Sequence, residues 1–208
     1  MTQDHPSLEY EYTHSLMDHT HAYLLPRLSN FLELTKPNKV FELGCGNGAV
    51  AGWMSKRGIE VTAIDYSETG VLQANKAHPQ LRIEVGSAYD DLSAKYGQYP
   101  AVVSLEVIEH LYAPKELVNN LFSLLLPGGH AFISTPYHGY MKNLALALTG
   151  KLDAHFTALW DGGHIKFFSI PTLKTLLEDA GFVDIEFFRV GRIPPLAKSM
   201  IVIARKPG

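Results

Sequence analysis

The chain has one cysteine in 208 residues, no excess of either charge, and no uninterrupted apolar run long enough to span a bilayer. Each absence excludes something. A lone thiol cannot build an internal disulfide framework or a thiolate metal set, which suits a reducing cytoplasm. A spanning helix needs about 18 consecutive apolar residues, and no stretch approaches that. With 18 Lys and Arg against 21 Asp and Glu, a net charge of −3 and a pI near 6.3, there is no global basic field. Nucleic acid is therefore not an expected partner. The N-terminus carries acids and histidines rather than a basic stretch followed by an apolar one, so no secretory leader is expected. Internal repeats, low-complexity tracts and linkers are also missing. A length of 208 residues with 46% hydrophobic and 19% charged content suits one domain over 1–208 with its own core.

What the sequence does hold is a concentrated glycine stretch, Val40-Phe41-Glu42-Leu43-Gly44-Cys45-Gly46-Asn47-Gly48. An apolar run that stops at alternating glycines reads as a buried strand ending in a turn where a ligand touches the backbone. Residues 49–56 read as the helix that follows, its first amides facing the same spot. Cys45 is read as a small buried filler beside the ligand. Downstream, strand and helix alternate. Strands are predicted at 40–43, 61–64, 82–85, 101–105 and 130–134, with helices at 49–57, 68–76 and 115–125 and a turn at Gly128-Gly129. The rhythm breaks over 136–164, then a helix at 170–180 and two strands at 183–190 and 199–204 close the chain. This order predicts an α/β fold, a doubly wound, mostly parallel sheet of seven strands with an antiparallel C-terminal strand and helices on both faces. The ligand belongs at the carboxyl ends of the strands. Residues 1–37 are expected to form a helical lid, and 136–168 an insertion on the substrate side.

Asp65 ends the second predicted strand about twenty residues after the glycines, where an acid can bind both hydroxyls of an adenosine ribose. A dinucleotide enzyme would space its glycines G-x-G-x-x-G. Here the third arrives early, as Gly44-x-Gly46-x-Gly48, and Glu42 interrupts the apolar strand, so a nicotinamide dinucleotide is disfavoured.

The segment Glu42-Leu43-Gly44-Cys45-Gly46-Asn47-Gly48 resembles motif I of the class I S-adenosylmethionine-dependent methyltransferases, which have a Rossmann-like fold. Ile64-Asp65-Tyr66-Ser67 looks like their second-strand acid, Gly86-Ser87-Ala88 their adenine contact, and Ser104-Leu105-Glu106-Val107-Ile108-Glu109-His110-Leu111 their fourth-strand motif. Glu106-x-x-Glu109-His110, Ser134-Thr135-Pro136 and Gly163-His164-Ile165-Lys166-Phe167-Phe168 narrow the likeness to the ubiquinone-biosynthesis O-methyltransferase type. The 136–164 insertion, with Tyr137-His138-Gly139-Tyr140, departs most from that type.

The resemblance implies a methyl transfer from S-adenosylmethionine, which becomes S-adenosylhomocysteine, to an oxygen, or less readily a nitrogen or carbon, of a small aromatic or lipophilic acceptor. It assigns cofactor binding to Glu42, Gly44, Cys45, Gly46, Asp65, Tyr66, Ser87, Ala88, Leu105 and Glu106. His110, His164 and His138 are the candidate proton acceptors, with His155 a fourth histidine in the insertion, because imidazole titrates in the useful range. Tyr12, Tyr137, Tyr140 and Phe168 are expected to shape an aromatic acceptor pocket. No metal site is expected, since His14, His19 and His21 lack a completing carboxylate or thiolate. The apolar run 143–152 reads as a helix packed on the sheet, with peripheral membrane contact as the sharper alternative. A cofactor-binding module without turnover and a methyltransferase acting on protein are the competing functions.

Overall fold

The structure is a computed structural model that describes Tyr12 and residues 14–160 and 162–208, so residues 1–11 and 13 of the lid expected over 1–37 lie outside the described residues. The elements run α1 (His21–Thr35), β1 (Lys39–Leu43), α2 (Ala49–Ser55), β2 (Glu60–Asp65), α3 (Glu68–Ala77), β3 (Arg82–Val85), α4 (Leu92–Tyr96) and β4 (Tyr99–Leu105). A 3₁₀ turn (Ile108–His110) precedes α5 (Pro114–Leu124), β5 (Leu125–Pro136), α6 (Tyr140–Leu148), α7 (Leu152–Phe156) and α8 (Ile170–Asp179). β6 (Val183–Val190), a second 3₁₀ turn (Pro194–Leu196) and β7 (Ser199–Arg205) complete the order.

The strands form one seven-stranded sheet in the order β3-β2-β1-β4-β5-β7-β6. β1 pairs in parallel with both β2 and β4, while β7 runs antiparallel between β5 and β6. The expected fold class is what the chain adopts. The reversal of strand order between β1 and β4 leaves a crevice at their carboxyl ends, where doubly wound sheets bind ligands.

Alternating residues on each strand supply the two faces of the core. Phe41, Leu43, Ile64, Val102 and Ile133 pack with Leu117 and Leu121 of α5 and Leu173 and Leu177 of α8. Val40, Val61, Ala63, Val103 and Phe132 pack on the other side with Leu24, Leu28 and Phe31 of α1 and Val50 and Met54 of α2. Each such side chain contributes about 1.5–3 kcal/mol when fully buried, which is why the sheet is a firm platform for its loops. Local signals agree. Ser67 caps α3 by accepting from Gly70 N, and Ser169 with Thr172 forms a capping box on α8.

Two expectations are corrected. β5 begins at Leu125 and absorbs the Gly128-Gly129 turn, with a register shift against β4 between Tyr99 and Ala101. The sequence shows the glycines but not that the backbone on either side of them still pairs. The run 143–152 is helical as far as Leu148, where α6 ends; α6 packs chiefly on α7 and the 194–196 turn, and its buried residue is Lys142. Leu144 is 38% exposed and Leu148 78%. Among the described residues no helix is long and apolar enough to cross a membrane.

Candidate functional site

The glycine turn sits at the switch between β1 and β4. Gly44, Gly46 and Gly48 all have positive φ, at 81°, 51° and 74°. A Cβ on Gly44 would overlap the Val107 side chain, so both torsion and space demand glycine there. Asp65, at the tip of β2, grips this turn: its carboxylate accepts from Gly46 N at 2.6 Å and Ser67 N at 2.8 Å. Those two backbone donors aim the carboxylate along the cradle.

Glu42 lies beneath the turn, 2% exposed, with Oε2 unpartnered. Burial, reinforced by the charge of Asp65, pushes its carboxyl well above the usual range. An enclosed carboxyl with a spare acceptor is complementary to a cationic ligand group. Cys45 is buried and burial pushes its thiol up, so it is a filler rather than a nucleophile. Asn47 ties the N-terminal strap to the cradle, its Nδ2 donating to His14 O at 2.8 Å and Leu16 O at 2.9 Å. Tyr12 N donates to Thr69 Oγ1 at 3.3 Å, and the ring covers Gly46 and Gly70. Tyr12 thus stands over the glycine cradle.

Of the residues expected at the adenine, Tyr66 is exposed and Ser87 and Ala88 are half-buried. Tyr66 is 68% exposed, and Ser87 is held by a turn in which its N donates to Asp90 Oδ2 and its Oγ accepts from Tyr89 N. Ala88 O accepts from Asn120 Nδ2 at 2.8 Å, which fixes the loop against α5. Leu105, half-buried, ends β4 in the crevice.

Beyond β4 the backbone turns sharply. Glu106 has φ 54°, a conformation costing a non-glycine residue about 1–3 kcal/mol. Its carboxylate accepts from Ser134 Oγ at 2.8 Å and Ser199 Oγ at 3.2 Å, and burial pushes its pKa up to about 7. Glu109, fully buried, accepts from Thr135 Oγ1 at 3.0 Å through Oε2, while Oε1 has no partner. Burial, then the charge of Glu106, pushes it well above the usual range. Its main-chain oxygen accepts from Ile165 N and Lys166 N, which draws the 162–168 segment over the crevice.

That stitch brings His164 to His110, with ring centroids 4.9 Å apart. His110 Nδ1 lies 2.9 Å from Gly162 O. A carbonyl only accepts, so Nδ1 carries the proton and the Nε2 lone pair is left as base or ligand. Burial lowers the pKa of His110 and takes His164 down to about 4, so both rings are neutral at pH 7. Glu109, His110 and His164 each place a donor atom within 4.8 Å of the others. Sequence inspection, which looked for metal ligands among the N-terminal histidines, missed this group because 54 residues separate His110 from His164. The Glu-x-x-Glu-His spacing was the available signal.

The other named residues separate. Tyr137 and Phe168 are buried at 9% and 8% in the core, whereas Tyr140 is 78% exposed. His138 is buried among His155, Phe156 and Phe167, with no ring contact to the His110 and His164 pair.

A mostly parallel sheet with this strand order and an antiparallel β7, a glycine cradle after β1 and an acid at the tip of β2 define the methyltransferase class of α/β domains. The chain belongs to the methyltransferase domain family, whose model matches residues 12–186. It is 33% identical over 125 residues to a ubiquinone biosynthesis O-methyltransferase of Caulobacter vibrioides, covering 58% of this chain and 48% of that protein. It is 31% identical over 153 residues to the same-named protein of Psychrobacter arcticus, covering 69% and 58%. The chain thus spans about half the length of the curated relatives it matches. In three dimensions it resembles a magnesium protoporphyrin IX methyltransferase from Synechocystis solved with bound S-adenosylhomocysteine, at TM-score 0.67 and 19% identity over 88% of this chain and 81% of that one. A methyltransferase from Archaeoglobus fulgidus, described as S-adenosylmethionine-dependent, aligns at TM-score 0.64 and 18% identity over 87% and 92%.

Proposed function

We propose that the chain transfers a methyl group from S-adenosylmethionine to an oxygen of a small aromatic or lipophilic acceptor. The observation that carries the cofactor assignment is the unpartnered, enclosed Oε2 of Glu42 under a turn that no side chain fits. Glu42 would take the amino group of the methionine moiety, the Gly44 to Gly46 main chain would pass beside it, and Asp65 would hold the ribose. Tyr66, Ser87 and Ala88 would border the adenine, and Leu105 the space below. The sulfonium already carries its leaving group, so the protein's task is to align the acceptor in line with the methyl and exclude water. The Tyr12 strap and the 162–168 segment serve that exclusion.

Oxygen is supported as acceptor by the names of the curated relatives and by a neutral His110 Nε2 that can take a hydroxyl proton. Exposed Leu148 and Leu159, at 78% and 99%, give the insertion an apolar outer surface suited to a lipophilic acceptor. Titration calorimetry with S-adenosylhomocysteine tests the cofactor site, and Asp65→Ala binding as tightly as the parent would sink it. Methylation of phenols, catechols or heteroaromatic amines then tests the chemistry. Cofactor binding without turnover across that panel would favour the binding-module alternative.

A second reading concerns a metal. Glu109 Oε1 is buried without a partner, and the two imidazoles beside it are neutral, so the donor set fits a divalent cation that accepts oxygen and nitrogen ligands. Such an ion would lower the pKa of an acceptor hydroxyl bound to it. Dialysis against a chelator, followed by add-back of magnesium, manganese or zinc, decides between this and histidine acting alone. Activity unchanged by chelation removes the metal.

A further inference from the structure

The acids of the site cluster on the strand side, and a second group of titratable side chains faces it from the insertion. His138 follows β5, Lys142 lies in the first turn of α6, His155 in α7, and Arg192 at the β6–β7 connection. Four segments of the chain thus each contribute one basic group. The His138 and His155 rings are 5.3 Å apart. Lys142 is 7% exposed and donates from Nζ to Tyr137 O at 2.8 Å and Lys198 O at 3.2 Å, which leaves one of its three N–H groups for another acceptor. Arg192 lies close enough for its charge to act on both Lys142 and His155.

These groups are only partly compensated. Burial lowers Lys142 to about 8, with Arg192 adding to the effect and Glu106 the acid opposing it. Glu106 is itself held by Ser134 and Ser199. Burial, then Lys142 and His155, takes His138 down to about 4, and His155 is lowered by burial, Lys142 and Arg192 with no acid against them. His138 is 7% exposed, and its Nδ1 makes no hydrogen bond of good geometry, its polar neighbour there being the Asn143 side chain. The helix itself opens on Gly139 with no side-chain cap and no acid in its first turn. Cationic and donor groups gathered in an enclosed place at mutual cost are a binding arrangement for negative charge.

We propose that His138, Lys142, His155 and Arg192 form a recognition site for an oxyanion carried by the methyl acceptor, a carboxylate or a phosphate on or beside its aromatic ring. This rests on the methyltransferase reading and goes further by giving the acceptor a charge. The phenyl ring has neighbours to lie against in Phe156 and Phe167, whose rings are 4.9 Å apart and border His138. The anion then anchors the acceptor from the insertion while its hydroxyl meets the His110 and His164 group.

Titration calorimetry on the full chain decides this with benzoate, phenyl phosphate and methyl benzoate, each with and without S-adenosylhomocysteine. Benzoate or phenyl phosphate should bind at least tenfold tighter than methyl benzoate, and the stronger of the two identifies the oxyanion. Arg192→Ala and His155→Gln, both at positions reached by solvent, should each weaken the anion about fivefold or more and leave S-adenosylhomocysteine binding as in the parent. Methyl benzoate binding as well as benzoate overturns the proposal, as does absence of binding by either anion. Loss of S-adenosylhomocysteine binding alone strikes the cofactor reading and leaves the anion comparison to stand on the titrations without cofactor.

Discussion

Glu42→Gln should raise stability and weaken the cofactor at the same time. The Glu42 carboxyl is 2% exposed and Oε2 has no partner, and its folded pKa lies well above the ordinary 4.5 because of burial and the charge of Asp65. A carboxyl with a raised folded pKa binds its proton more tightly in the native state. The native state is therefore favoured at low pH, and that advantage is lost as pH climbs from the unfolded value toward the folded one. At pH 8 the fold carries a burdened acid, and glutamine has the shape of its protonated form. Glutamine cannot ionise, so it escapes the cost of a buried acid whose pKa is raised, about 1.4 kcal/mol for each tenfold change in proton affinity. For a chain of this size each kcal/mol moves Tm by about 2–4 °C. The variant should thus melt higher than the parent at pH 8, and the two curves should converge near pH 4. Binding should move oppositely. Losing a charge-assisted hydrogen bond to the ligand's ammonium costs about 1.5–3 kcal/mol, roughly 10- to 150-fold in Kd. Thermal melts from pH 4 to 8 and calorimetry with S-adenosylhomocysteine read both effects. A variant that melts below the parent at pH 8, or a gap that ignores pH, refutes the reasoning.

Other expectations follow from the same geometry. Gly44→Ala places a Cβ on the Val107 side chain at φ 81°, so it should cost about 3 kcal/mol or more, measured by urea unfolding; adding Val107→Ala should return only the steric part. Asn47→Ala loses two bonds to the 14–16 strap, about 1–3 kcal/mol, and should speed chymotrypsin cleavage after Tyr12. His138 has a folded pKa of about 4 against 6.5, so its contribution is present above pH 6.5 and lost as pH falls toward 4; His138→Gln should flatten that acid loss in thermal melts.

The strands and the cradle were legible in the sequence because local rules and the tertiary fold agree there. Val40, Phe41 and Leu43 are apolar on both sides of a parallel sheet, and Gly44 and Gly48 are needed whatever packs around them, so composition alone locates the turn. Asp65 was legible for the same reason, since the end of β2 must lie beside the end of β1. The side proposed for the acceptor was harder. Its groups meet through long-range stitches, Glu109 O to Ile165 N and Lys166 N, and His110 Nδ1 to Gly162 O, that no periodicity encodes. Lys142 is the sharpest case. The apolar stretch after it suggested a helix packed on the sheet, yet the lysine is enclosed while Leu144 and Leu148 are exposed, because carbonyls at Tyr137 and Lys198 supply its Nζ with partners.

The two halves of the site also differ in sign, and that difference orders the ligands. Glu42, Asp65, Glu106 and Glu109 all stand at or just after the carboxyl ends of β1, β2 and β4. His138, Lys142, His155 and Arg192 all belong to segments that follow β5. Uncompensated charge of either kind destabilises an unliganded fold, so each half gains most from a ligand of opposite charge. S-adenosylmethionine brings an ammonium and a sulfonium, and both are favoured beside the acids. An acceptor seated the other way round would set its anion against Glu106 and Glu109 and leave Lys142 and Arg192 unpaired. On the proposed anion site, charge would favour the orientation in which the acceptor hydroxyl, rather than its anion, reaches the methyl.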